Sequence, residues 1–94
     1  MSDAMRLALD GELTIYRAAE LREELLAALP VAPTSMEIDL AQVSEIDSAG
    51  VQLLIAARRA AQAQGVAFAL VDPSAAVREV LDLFNLCAEL ELPA

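Results

Sequence analysis

Two hydrophobic periods succeed one another along the chain. Met5, Leu7 and Leu9 alternate with Arg6, Ala8 and Asp10, the period of two expected of a strand with one buried face. Gly11 supplies turn chemistry before Leu13-Thr14-Ile15, which predicts a tight turn and a second short strand. From Arg17 the period lengthens. Ala18, Leu21, Leu25 and Leu29 form one stripe while Glu20, Glu23 and Glu24 take the solvent side, so an amphipathic helix is expected to end near Pro30. Val31-Ala32-Pro33-Thr34-Ser35 reads as a connection, because proline cannot continue a helix and biases its predecessor to extended backbone.

Met36, Ile38 and Leu40 alternate with Glu37 and Asp39 as a central strand, and Ala41 to Glu45 reads as the link to Ile46-Asp47-Ser48-Ala49-Gly50-Val51. A second helix is expected from Asp47 or Ser48 to about Gln64, with Gly65 placed where a left-handed residue ends helices cheaply. On a helical wheel Leu53, Leu54, Ala57, Ala60 and Ala61 share one side, assigned to the core; Ser48, Val51, Gln52, Ile55 and Arg59 fall roughly opposite, assigned to the outside. Val66 to Val71 is a nearly continuous apolar run, as in a strand covered on both faces. Asp72 or Ser74 then caps a third helix, in which Val77, Val80, Leu81 and Phe84 form the buried stripe and which stops near Asn85. Leu86 to Leu92 reads as a terminal edge strand. This succession predicts an α/β domain over residues 1–94, with helices packed on a mixed sheet.

Composition narrows the function. The 94 residues are 57% hydrophobic, which suits one domain burying roughly 60–65% of its unfolded surface. Fifteen acidic residues face six arginines and no lysine, for a formal charge of −9, which opposes nucleic acid and anionic membrane as partners. No run approaches the roughly 20 apolar residues of a membrane span, and Met1-Ser2-Asp3 does not open a signal peptide, so a cytoplasmic location is expected. Histidine is absent and Cys87 is the single cysteine. No metal, cofactor or catalytic activity is therefore expected: the usual zinc sites and any Ser-His or Cys-His pair are missing, and Cys87 reads as a small core residue.

The junction at Asp47 and Ser48 is where chemistry is expected. Both residue types cap helices by accepting hydrogen bonds from first-turn amides, and such an end also favours negative charge. A phosphoryl group on Ser48 would lie at that end, beside Asp47 and the outward Val51 and Ile55. Gly50, early in a helix, signals a close backbone approach from within the fold or from a partner. Arg58 and Arg59 flank the outward face.

Four segments in order resemble the STAS domain of bacterial anti-sigma-factor antagonists: Gly11-Glu12-Leu13-Thr14-Ile15, Ile38-Asp39-Leu40, Ile46-Asp47-Ser48-Ala49-Gly50-Val51, and Val80-Leu81-Asp82-Leu83-Phe84-Asn85-Leu86. Ala49 stands where many antagonists have a second serine and Val51 where many have leucine. The stretches 13–19 and 47–54 look closer to STAS proteins found with chemotaxis-type components. The resemblance implies a four- to five-stranded sheet with helices mostly on one face, and no enzymatic activity. It implies that Ser48 is the phosphoacceptor, supported by Asp47 and Asp39. Asp47, Ser48, Gly50, Val51, Gln52, Ile55 and Arg59 would then form the partner-binding surface. The implied partners are a serine kinase that is also an anti-sigma factor, or a chemotaxis-type counterpart, and a cognate phosphatase; the chain itself would be a monomer or weak dimer. Similarity to the STAS subunit of phospholipid-transport ATPases implies the alternative, a constitutive structural subunit.

Overall fold

The computed structural model describes residues 4–28 and 34–85. Three strands and three helices alternate: β1 (Ala4–Leu13), α1 (Ile15–Ala28), β2 (Ser35–Ile46), α2 (Ser48–Ala63), β3 (Ala67–Val71) and α3 (Ala75–Leu83). The strands form one sheet in the order β1-β2-β3. Both pairings are parallel, so among the described residues the sheet has three strands and no antiparallel member, where a mixed sheet of four to five was expected. The expected edge strand at Leu86–Leu92, Cys87, and the helix end near Pro30 lie outside the described residues.

The missing antiparallel pair has a local cause. Gly11 does adopt a positive φ of 68°, yet the chain does not reverse there, and β1 runs on to Leu13. Its register with β2 is kept by two irregularities. β2 has one extra residue between Asp39 and Gln42, opposite Ala8 and Asp10, and another between Val43 and Glu45, opposite Gly11 and Glu12. Each extra residue moves the inward side chains by one position, the property of a β-bulge. Hence the buried set in β2 runs Met36, Ile38, Leu40 and then Val43 and Ile46. What reads in the sequence as a link over 41–45 is the bulged second half of the central strand.

All the inward residues point to one side. Leu9 and Leu13 of β1 and the β2 set meet Leu21 and Leu25 of α1, Leu53, Leu54, Ala57 and Ala61 of α2, Leu70 of β3, and Val77 and Leu81 of α3 in one core. The other face of the sheet is open. Ala67 and Ala69 of β3 are exposed, which corrects the expectation of a strand covered on both faces. There Arg6 of β1 donates to Asp39 of β2 at 3.0 Å, to Asp72 after β3 at 2.9 Å and to Glu37 at 3.5 Å. One guanidinium thus spans the three strands. Exposed pairs of this kind each contribute little to stability, so its role is to fix strand positions in a solvated layer.

The helix limits follow from their caps. Ser74 accepts a hydrogen bond from the Val77 amide and starts α3. Phe84 has left helical geometry as the C-cap, and it is 51% exposed, not part of the buried stripe that its spacing from Val77 predicts. Gly65, at φ 71°, follows α2 as expected.

Candidate functional site

The C-terminal ends of β1 and β2 lie side by side, with Leu13 opposite Ile46, and each runs directly into a helix. Two helix N-termini therefore open at one end of the molecule. Each has unpaired amides that need acceptors. Asp47 serves both. Its Oδ1 accepts from the Gly50 amide at 3.0 Å, the N-cap bond of α2, and its Oδ2 accepts from the Ile15 amide at 3.1 Å, the first residue of α1. Its own amide donates to the Leu13 carbonyl at 3.2 Å. These bonds, that of Gly50 first, hold the Asp47 carboxyl below the usual aspartate range against the opposing effect of desolvation.

Gly50 makes this approach feasible. A Cβ at this position would collide with the Leu13 carbonyl oxygen and lie 2.7 Å from the Ile46 side chain. The close approach expected of Gly50 is thus met inside the fold, by the end of β1, and Gly50 is buried. As a partner-binding residue it is corrected to a packing residue.

Ser48 is the first residue of α2 and is exposed. The cap is made by Asp47, so the Ser48 hydroxyl is not consumed in starting the helix. Gln52 and Arg59 are also exposed and Ile55 is half-buried, packed at the edge of the core. Val51 departs from the sequence assignment. It is 3% exposed and belongs to the core cluster, with Phe84, just after α3, lining the same pocket, so the supposed outward position is core. Asp39 stands in the middle of β2 on the open face. It accepts from the Ala41 amide at 2.9 Å as well as from Arg6, bonds that hold its carboxyl below its usual range, and it does not join Ser48.

Phe84, which the periodicity assigned to a buried stripe, joins this end. Ser48, Val51, Gln52, Ile55 and Phe84 line a pocket of about 280 Å³. A larger, shallower groove of about 450 Å³ runs between α1 and α2, over Ala18, Ala19, Arg22, Ala49, Gln52, Leu53 and Ala56. Ile15 and Tyr16, at the start of α1, are 68% and 92% exposed. Glu12 and Glu45 are paired across the strands, and the Glu45 carboxyl is pushed above its usual range by its hydrogen bond to Glu12, by the charge of Glu12, by desolvation and by the charge of Asp47. This end is therefore electronegative and bordered by apolar side chains. Among the described residues no cluster of His, Cys, Asp and Glu suits a metal ion, and no helix is long and apolar enough to cross a membrane.

Asp47→Asn should lower stability at neutral pH, since the amide keeps one acceptor oxygen for two helix starts. The sign follows from the depressed carboxyl. Its stabilisation is present above the ordinary aspartate pKa and is lost as pH falls through the folded value, so the variant's acid unfolding limb should begin from a lower plateau and be shallower. Thermal melts from pH 7 to pH 2 measure this, and parallel curves would remove Asp47 from its two-helix role.

The geometry has counterparts among known proteins. SpoIIAA, an anti-sigma factor antagonist, in its unphosphorylated form, shares 27% identity over 88% of this chain and 73% of its own, with a TM-score of 0.73. Bacillus SpoIIAA in the phosphorylated form shares 25% over 94% and 80%, with a TM-score of 0.70. A Thermotoga maritima protein provisionally assigned as an anti-sigma factor antagonist shares 27% over 94% and 76%, with a TM-score of 0.82. The STAS domain of a Vibrio cholerae SulP transporter, at 17% identity, shares the fold. No curated protein sequence matches. The family model described as "Mlab, STAS domain" matches residues 1–91, and with the parallel sheet, one-sided helices and Asp-Ser junction in place, the chain belongs to the STAS domain family.

Proposed function

We propose that the protein is a non-enzymatic interaction module switched by phosphorylation of Ser48, binding a serine kinase of the anti-sigma or chemotaxis type and restored by a phosphatase. One observation carries the reading: Ser48 presents an exposed hydroxyl at a helix N-terminus while its neighbour Asp47 does the capping. Modification of that hydroxyl takes nothing from the fold. The similarity to SpoIIAA, solved in both unphosphorylated and phosphorylated forms, supports it.

A phosphoryl group adds about −1.5 to −2 charges and a large hydration shell. On Ser48 it would enter the pocket bounded by Gln52, Ile55 and Phe84. A partner group of apolar character seated there would be displaced, so the unphosphorylated form is the binding form. The switch works at the surface and needs no refolding. Other STAS neighbours belong to transporters, but those at 17% identity support the fold alone.

Intact-mass measurement after incubation with ATP and the serine kinase encoded beside the gene tests the reading. The wild type should gain one phosphate and Ser48→Ala none, and this substitution should change stability by no more than about 0.5 kcal/mol because the cap is elsewhere. A wild type that stays unmodified by an active kinase, or an alanine variant that gains phosphate equally, would overturn the switch. A constitutive subunit of a lipid-transport complex would give the former result.

A further inference from the structure

Among the described residues, the exposed large hydrophobics are Ile15, Tyr16, Leu83 and Phe84. They come from opposite ends of the chain, and the fold gathers them at one end. Ile15 is tied by its amide to Asp47, next to Ser48, and Phe84 lines the same pocket as Ser48. Tyr16 and Leu83 adjoin them in sequence, 92% and 75% exposed. Two apolar pads thus flank one hydroxyl, one at the start of α1 and one at the end of α3. Large apolar side chains grouped on a surface and rimmed by polar groups mark interaction sites.

The rim has a definite sign. Asp47, Glu45 and Glu12 stand at this end, Asp47 bonded to two backbone amides and Glu45 to Glu12. Arg17, the nearby cation, is engaged: its Nη1 donates to the carbonyls of Asp10 at 2.6 Å and Glu12 at 3.1 Å, and its Nη2 lies 3.9 Å from the Asp10 carboxylate. A second copy of this chain would bring the same carboxylates face to face, between molecules each carrying −9.

We infer that the Ile15–Tyr16 and Leu83–Phe84 pads form a two-point docking surface for a single basic protein, whose apolar side chains seat on the pads while its arginines or lysines meet Asp47, Glu45 and Glu12. This deepens the reading of Ser48 as a switch, and rests on it only for release. A phosphate between the pads hydrates the Phe84 pocket and unseats that half of the contact. Aromatic anchors at the centre of an interface carry much of its affinity, so Tyr16→Ala and Phe84→Ala should each weaken binding by about tenfold or more.

The test places the photo-crosslinker p-benzoylphenylalanine at Tyr16, at Phe84 or, as a control at the far end of α2, at Gln64, in the full chain inside cells that express it. Both exposed aromatic positions accept this side chain without disturbing the core. Crosslinks from positions 16 and 84 to one and the same protein, at peptides of net positive charge, with none to it from position 64, support the surface. Crosslinks to copies of this chain, to nucleic acid, to acidic peptides or to two unrelated proteins overturn it, as does an absence of crosslinks at both pads. Intact mass of the same samples separates the two ideas. Phosphorylated Ser48 in the wild type, with no pad crosslinks from a chain that also carries Ser48→Ala, retains the switch and removes the surface; pad crosslinks in a wild-type chain never phosphorylated do the reverse.

Discussion

Gly50→Ala is expected to destabilise the protein by about 3 kcal/mol, at the upper end of what an added methyl costs in a packed interior. In an ordinary helix the same change would help, since alanine outranks glycine there by about 1 kcal/mol. The sign reverses because the new methyl meets a backbone carbonyl, that of Leu13, and the Ile46 side chain, neither of which is the loose end of a flexible group. Relief requires the first turn of α2 to lift from the end of β1. That movement also strains the Asp47 bonds to Gly50 and Ile15, so α1 and α2 should loosen together. Urea denaturation gives the stability, and hydrogen exchange at the Ile15 amide reports the coupling. Gly65→Ala is the companion measurement: that glycine has open space around it and only its positive φ to lose, so about 1 kcal/mol is expected. A Gly50→Ala cost no larger than the Gly65→Ala cost would remove the close approach from the account.

Val51→Asp should be more damaging still, about 4 kcal/mol or more, a large share of the roughly 5–15 kcal/mol that usually holds a domain folded. The reason is a carboxylate placed among apolar neighbours, for Val51 joins the core cluster. Gln52→Asp, one residue on and exposed, should change stability by no more than about 0.5 kcal/mol. Ile55→Glu falls between them, because Ile55 is half-buried at the rim of the Ser48 pocket. It should lose some stability, yet remain folded enough to measure its loss of partner binding. Circular dichroism across the three variants orders them. A folded Val51→Asp variant with wild-type melting would return Val51 to the outer surface, where the wheel places it.

That misplacement shows how far local patterning reaches. A helical wheel assumes one buried side and one wet side. α2 has the sheet and α1 on one flank and Phe84 beside Val51 and Ile55 at another, so its buried arc is wider than the stripe Leu53, Leu54, Ala57 and Ala61 suggests. The period-two pattern fails in β2 for a different reason. It is local by nature, and two bulges each reset its phase, so Val43 is buried three residues after Leu40 and Ile46 three after Val43, steps that break the rule. Gly11 was legible as a backbone exception, yet a positive φ marks an irregular strand as readily as a reversal.

The sequence by itself determined the α/β class, the three helices with near-correct limits, the cores of β1, β2 and β3, and the Asp47-Ser48 junction as a helix start. Those features rest on near neighbours: side-chain periodicity, capping residue types, and glycine at a helix end. Only the tertiary structure decided that Asp47 caps two helices, one of them beginning 32 residues earlier, and so left Ser48 free of that duty. It alone turned Gly50 and Val51 inward, set Phe84 beside Ser48 in one pocket and left Ile15, Tyr16 and Leu83 exposed. These are contacts between residues far apart in the chain, settled by how parallel strand ends align, and no local pattern encodes that alignment.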